Sequence, residues 1–529
     1  MLLVESITIF LFLRFITNTV SASISPSQYE AMRSRFLKAE AAKMTGWDID
    51  LNDKETIVNA TLMHFKEMEF QSSMKLNNFP PSRSFMTAKK DIEASQVFQI
   101  IREMPKGAAL HIHEMSLSNI TWVVKNLTYL PDLYFCKINN TAKKIPNSIH
   151  FNFSTSTPPP NLDCTENWKL VSEARKENQE EFDEMLMQTL SMVVDDPIKA
   201  YPNGNASWAK FQAALSAVGD LLFTSTAFDS YFNQAFTEFE DDNVQYMEIR
   251  TLLSPIRHMD GSVSSQLDTM KAFQDFIHRY KITHPDFYDA KIIYTSLRFV
   301  SEDKVKDAVS LAMDLIKKFP DTMIGFDLVG EEDVGYSLNK FINQLLLPVN
   351  QNVKLPYFFH AGETDWQGTS IDENLIDAIL LNTSRIGHGF AILKHPGVLD
   401  ELKKRDIAIE VNPISNQVLK LVDDLRNHPA TYLLANDFPV VISSDDPVIW
   451  GAKGLSYDFY EAFMALGGER ADLRTLKKLA LNSIKYSALS DNHKMELTQL
   501  WQKKWDMFLD QFLEKHKKYT QFKSTRNYH

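Results

Sequence analysis

Positive charge is the first thing this chain is short of. Across 529 residues, 56 Lys and Arg stand against 68 Asp and Glu, a net charge of -12, so no electrostatic case exists for a nucleic-acid partner. Long apolar runs are missing too. The longest near the start, Ile7 to Ile16, is interrupted by Arg14 and falls short of the ~20 residues that span a bilayer, which argues against a transmembrane anchor. Cysteine is nearly absent: Cys136 and Cys164 are the only two. In an oxidising compartment such a pair reads as one disulfide, the alternative being two buried free thiols.

What is present is apolar and aromatic mass, 44% and 11%. That is enough to bury a large core, and it excludes disorder. The short run Ile7 to Ile16 ends near Val20-Ser21-Ala22, small residues that suit signal-peptide cleavage after Ala22. Sequons at Asn59, Asn119, Asn126, Asn139, Asn152, Asn205 and Asn382 point the same way, to a secreted glycoprotein. Ser25-Pro26-Ser27, with Ser27 and Glu30 as a capping box, predicts a helix start. Tyr29, Met32, Phe36 and Leu37, then Ile57, Val58, Leu62, Phe65 and Met68, recur at helical spacing and predict two amphipathic helices. Their apolar faces must bury against the barrel or another subunit, and the pattern leaves both open.

From Ala108 onward, short apolar runs alternate with longer helical stretches: Gln245 to Leu252, Lys291 to Leu297, Met323 to Val329, Pro356 to His360, Ile407 to Val411 and Val440 to Ser443. This alternation predicts an α/β fold, a TIM-type (β/α)8 barrel whose polar strand ends carry the chemistry. The rhythm breaks near Asn126, in a stretch holding Pro158-Pro159-Pro160 and both cysteines. An inserted lobe there would gain about 3 to 4 kcal/mol from a Cys136–Cys164 bridge. The division is therefore a signal peptide (1–22), a helical segment (23–104), the first strand and its loop (105–125), a glycosylated insertion (126–180), the rest of the barrel (181–515) and a basic tail (516–529).

Four motifs fall at strand ends. His111-Ile112-His113 puts two imidazoles on one side of a strand. His360-Ala361-Gly362-Glu363 offers a third imidazole, and a carboxylate able to shuttle a proton between a bound water and a substrate nitrogen. Arg385-Ile386-Gly387-His388-Gly389 adds a histidine suited to a developing oxyanion. In Ser443-Ser444-Asp445-Asp446-Pro447 two adjacent carboxylates repel unless a cation or proton resolves them. Asp445 as an anionic ligand of a His3Asp zinc site, beside a partly protonated Asp446 bonding a heterocycle nitrogen, is one such resolution.

These motifs, together with Met104-Pro105-Lys106-Gly107, Gly325 to Gly330, His360 to Trp366, Asn412 to Gln417 and Ser443 to Tyr457, resemble the extracellular adenosine deaminase-related growth factor family, secreted relatives of classical adenosine deaminase. The likeness covers most of residues 27–510. It implies hydrolysis of adenosine and 2′-deoxyadenosine, with one Zn2+ per subunit on His111, His113, His360 and Asp445. It further implies proton transfer by Glu363, hydroxide orientation by His388, purine N7 on Asp446, purine N3 on the Gly330 N–H, and Trp208 and Trp366 lining the nucleoside pocket. A homodimer formed through the N-terminal helices, and an insertion that contacts a cell-surface receptor or glycosaminoglycan, also follow from the resemblance. One departure is Glu114, where the family usually has an Asp near the ribose. The alternative reading is a signalling ligand whose deaminase activity is weak or dispensable. AMP as substrate would need a basic phosphate clamp, and none accompanies the motifs.

Overall fold

The computed structural model describes residues 24–140, 145–159, 161 and 163–517. The expected leader and nearly all of the basic tail lie outside the described residues. Eight parallel strands form two four-stranded sheets. One runs β1 (Gly107–His113), β5 (Val244–Thr251), β6 (Asp289–Leu297), β7 (Met323–Val329); the other runs β8 (His360–Ala361), β9 (Arg385–His388), β10 (Ala408–Val411), β11 (Val440–Ile442). Parallel bridges Phe326–Tyr357 and Ile112–Asp445 join the two sheets at both seams and close the barrel. The fold class is the one expected.

Each barrel strand is buried on both faces, which is why it reads as an apolar run instead of an alternation. The intervening helices carry an apolar stripe inward. Glu302–Lys318 is capped by Ser301, has Glu302 and Asp303 in its first turn and Lys317 and Lys318 in its last, and buries Val305, Val309, Ala312 and Met313. The run Pro356 to His360 yields only the short strand β8. Pro356 lacks an N–H to pair, and the residues before His360 meet β7 through single contacts such as Phe326 N–H to the Pro356 carbonyl.

The N-terminal segment is four helices: α1 (Pro26–Ala41), α2 (Asp53–Leu76), α3 (Phe85–Ala94) and α4 (Gln96–Glu103). The cap of α1 differs from expectation. Pro26 occupies the first turn, so the capping box pairs Ser25 with Gln28 instead of Ser27 with Glu30. Helix α2 buries Val58, Leu62 and Phe65 while Ile57 and Met68 stay exposed; it packs on the C-terminal helix Asp491–Lys515. Its Lys66 is fully buried, with the ammonium held by the carbonyls of Phe463, Gly468 and Ala471. Helix α1 buries no residue, and Tyr29, Met32 and Phe36 are exposed.

The insertion is a small antiparallel sheet ordered β3 (Ile145–Phe153), β2 (Leu133–Asn140), β4 (Lys169–Leu170). Cys136 on β2 is bonded to Cys164, Cα–Cα 5.7 Å. Strand β3 lies on the helix Gly204–Leu222, which crosses the barrel mouth. A clasp fixes it there: His150 Nδ1 meets Asp220 Oδ2 at 2.8 Å, the Phe151 N–H donates to the same oxygen, and Arg257 adds a second cation to Asp220.

Candidate active site

The expected residues converge at the C-terminal mouth of the barrel. Period-two spacing on β1 places His111 and His113 on one side, with ring centroids 5.3 Å apart, and His360 stands 4.5 Å from His111. Asp445 Oδ1 lies 3.3 Å from His111 Nε2 and 3.1 Å from His113 Nε2. Both Asp445 and His388 adopt left-handed backbone, φ 59 and 60°, a local strain that bulky side chains accept where surrounding structure enforces it.

Carboxylates beneath the site set the tautomers. His111 Nδ1 is 2.6 Å from Glu410 Oε2, and His360 Nδ1 is 2.6 Å from Asp327 Oδ2. An Nδ1–H donated to a carboxylate leaves the Nε2 lone pair facing inward, the arrangement of a metal-ligating histidine. His111 Nε2 and Asp445 Oδ1 are buried without a hydrogen bond. Three inward imidazoles and one carboxylate therefore fit a divalent metal. Ligand-distance geometry also groups His388 with His111, His360 and Asp445, and groups His113 with Asp445 and Asp446.

Hydrogen bonding removes His388 from that ligand set. The Ala430 N–H donates to His428 Nδ1, so His428, neutral because burial pushes it down to about 3, carries its proton on Nε2. That N–H donates to Asn416 Oδ1 at 2.9 Å, which orients the amide so that Nδ2 donates to His388 Nδ1 at 3.0 Å. His388 must then be an Nε2–H donor, 3.6 Å from Asp445 Oδ2. Burial holds it well below the ordinary histidine value, and so neutral.

Burial would raise Asp445, but the imidazoles of His111 and His113 beside its Oδ1 hold it well below the usual range. Asp446 is pushed well above it by burial and by Asp445, and it accepts from Ser116 Oγ at 2.6 Å. Glu363 is likewise raised, by burial and then the charges of Asp445 and Glu332. Its Oε1 has no hydrogen-bond partner, and its own N–H donates to Glu332. Burial raises Glu114 as well; it accepts the Leu252 N–H and leaves Oε2 unpartnered.

A cavity of about 840 Å³ opens over these groups, lined also by Gly330 and Trp208. Gly330 sits at φ 103°, and a Cβ there would lie 2.8 Å from the Phe299 ring. Trp366 does not line this cavity. It is 66% exposed and lines a smaller adjoining pocket, with Trp208 and Glu363. Among the sequons, Asn59 has both ends of its amide engaged, with Asp472 and the Leu473 N–H, whereas Asn126, Asn205 and Asn382 are exposed.

The charged layer below escaped the sequence reading. Arg250 bonds Asp327 and Glu410, and Arg385 bonds Glu248 and Glu410, all wholly buried. A signal existed: Glu248, Arg250, Asp327 and Glu410 each stand inside a largely apolar strand run, and a buried charge requires a partner.

A closed parallel barrel with histidines and carboxylates gathered at its strand ends defines a metal-dependent hydrolase. Two family matches specify which: Adenosine deaminase over residues 178–504 and Adenosine/AMP deaminase N-terminal over residues 9–101. Human adenosine deaminase 2 is 46% identical over 90% of this chain and 92% of its own, and an adenosine deaminase of Lutzomyia longipalpis is 42% identical over 92% and 94%. The chain belongs to the adenosine deaminase family, as the motifs implied. A solved Arabidopsis N6-mAMP deaminase shares the fold, with TM-score 0.54, 17% identity, and coverage of 77% of this chain and 99% of that one. Strand β1 and the lobe fall between the two matched spans.

Proposed function

We propose that this protein is a secreted, zinc-dependent adenosine deaminase that converts adenosine and 2′-deoxyadenosine to inosine and 2′-deoxyinosine plus ammonia, lowering extracellular adenosine. The observation that carries this is Glu363, a buried carboxyl with a free oxygen, raised in pKa by burial, beside three inward imidazoles and Asp445. His111, His113, His360 and Asp445 would hold the ion, and their nitrogen and oxygen donors suit zinc. When bound, zinc supplies a Lewis acid that lowers the pKa of water to about 7.

Glu363 donates its proton to purine N1, which makes C6 electrophilic, and then takes a proton from the attacking water. The Nε2–H of His388 donates to the oxygen arriving at C6. Asp446, protonated, donates to N7, and the Gly330 N–H to N3, so the base is held in one register. Water adds at C6, the proton that Glu363 took from it passes to the amino group, the C6–N bond breaks to release ammonia, and the C6 hydroxyl proton returns to Glu363. Glu114 stands at the ribose end.

Secretion is supported by the short N-terminal apolar run, the exposed sequons and the Cys136–Cys164 bond. The uncovered Tyr29, Met32 and Phe36 of α1 support a homodimer formed there, and the lobe is the surface for a receptor or glycosaminoglycan. Purified full-length protein should bleach the adenosine absorbance band, and Glu363→Gln should lower kcat about a thousandfold with metal content unchanged. A folded, zinc-loaded wild type that leaves adenosine intact would overturn the proposal in favour of a purely signalling ligand.

A further inference from the structure

The cavity is much larger than the proposed substrate needs. At about 840 Å³ it lies near the top of the range, about 300–1,000 Å³, that holds drug-sized ligands; a nucleoside fills only part of it. With purine C6 at the histidine–aspartate centre, N9 points the opposite way. The ribose and its 5′ carbon therefore extend towards the mouth, where the wall changes character. There it is built from the lobe, through Ile138, Ser148, Ile149 and His150, and from Phe211 and Leu215 of the helix Gly204–Leu222.

This half of the cavity mixes apolar side chains with Gln212, Ser216 and the Asp163 carboxylate, and among the described residues it offers no usable cation. Arg250 is the one Lys or Arg among the described lining residues, and its guanidinium is committed to Asp327 and Glu410 in the floor. His150 has Asp220 on its Nδ1 and the Asp163 carboxylate nearby, so its charge is already balanced. A 5′-phosphate would be desolvated there without a partner. One polar atom does lack a partner: Ser148 is 8% exposed, lines the cavity, and its Oγ has no hydrogen bond among the described residues.

We infer that the lobe-walled half is a second subsite that takes an uncharged group on the 5′ carbon of adenosine, such as an alkylthio group, seated between Ile149 and Leu215 beside the Ser148 hydroxyl. The inference rests on the adenosine deaminase reading. The chemistry is unchanged: water adds at C6, ammonia leaves, and the 5′ carbon–sulfur bond is untouched. The lobe thus acts as a selectivity element of the enzyme.

The test compares kcat/KM of the full-length, metal-loaded protein for adenosine, 5′-deoxy-5′-methylthioadenosine and AMP. The expected result is a value for the methylthio nucleoside at or above that for adenosine, with AMP at least about a hundredfold lower. Ile149→Trp, which fills the subsite, should lower the methylthio-to-adenosine ratio about tenfold, the scale of one small apolar group in a pocket. Leu215→Trp repeats the test from the opposite wall should the first variant fold poorly. Turnover of adenosine with the methylthio nucleoside more than tenfold worse overturns the subsite alone, as does a ratio unmoved in both variants. Failure with adenosine itself overturns the deaminase reading instead.

Discussion

The floor of the barrel and the lobe above its mouth face the same cavity but are held by opposite means. In the floor, Arg250 and Arg385 are each fixed by two carboxylates and by backbone carbonyls, all wholly buried, so the histidines resting on Asp327 and Glu410 have one orientation. The lobe is a three-stranded sheet held by apolar packing of Leu133, Phe135, Ile149, Phe151 and Phe153, with a disulfide and a His–Asp–Arg clasp added. Chemistry that tolerates little displacement stands on the part fixed by buried ion pairs, and recognition of the variable end of a ligand on the part held mainly by apolar packing.

The floor should fail hardest. Arg250→Leu leaves Asp327 and Glu410 buried with fewer counter-charges and is expected to cost about 3–5 kcal/mol in chemical denaturation, with loss of bound metal. A variant of native stability would show that the charged layer is not what fixes the site. Cys136→Ser is expected to cost about 3 to 4 kcal/mol on the chain-entropy model, but only in the lobe. Limited proteolysis should cut between β2 and β4 while the main unfolding transition stays in place; a matching shift of that transition would mean lobe and barrel are one cooperative unit.

Asn416→Leu releases the tautomer of His388 and should lower kcat about 10- to 100-fold with zinc content intact; normal turnover would rule out the relay from Ala430 through His428. The smallest effect concerns pH. Hydrogen bonding to Asp220 raises His150 above its unfolded value. The clasp therefore contributes fully below the unfolded pKa and is lost as pH rises through the folded one. Protection of the lobe from protease should be greater at about pH 5.5 than about pH 8.5, and His150→Gln should flatten that difference. A profile unchanged by the substitution would remove His150 from the account.

The residues proposed to do the chemistry were legible because they break the pattern at strand ends: HxH, HAGE, GHG and SSDDP each put ligating or acidic groups just where an apolar run stops. What orients them was not. Whether His388 ligates or donates depends on Asn416 and His428, and nothing local to Arg385–Gly389 encodes that. Trp366 sits in motif text, yet its side chain turns outward, since sequence adjacency to Glu363 does not fix which way a loop side chain faces. The α1 cap was misplaced by two residues because Pro26 belongs at the first helical position, which leaves Ser25 as the cap. The uncovered face of α1 and the buried face of α2 share one amphipathic pattern; only packing separates them.

The seam at Ile112–Asp445 bears on how the chain folds. The Gly107 N–H reaches a side chain 138 residues on, and the His111 N–H reaches Ser443, 332 residues on. Contacts so distant in sequence close late, since loop closure must come before they form. Because Asp445 lies in that last stitch, a nascent or partly folded chain has the first histidine pair without its carboxylate. Retention of a metal on His111, His113, His360 and Asp445 would then require the closed barrel.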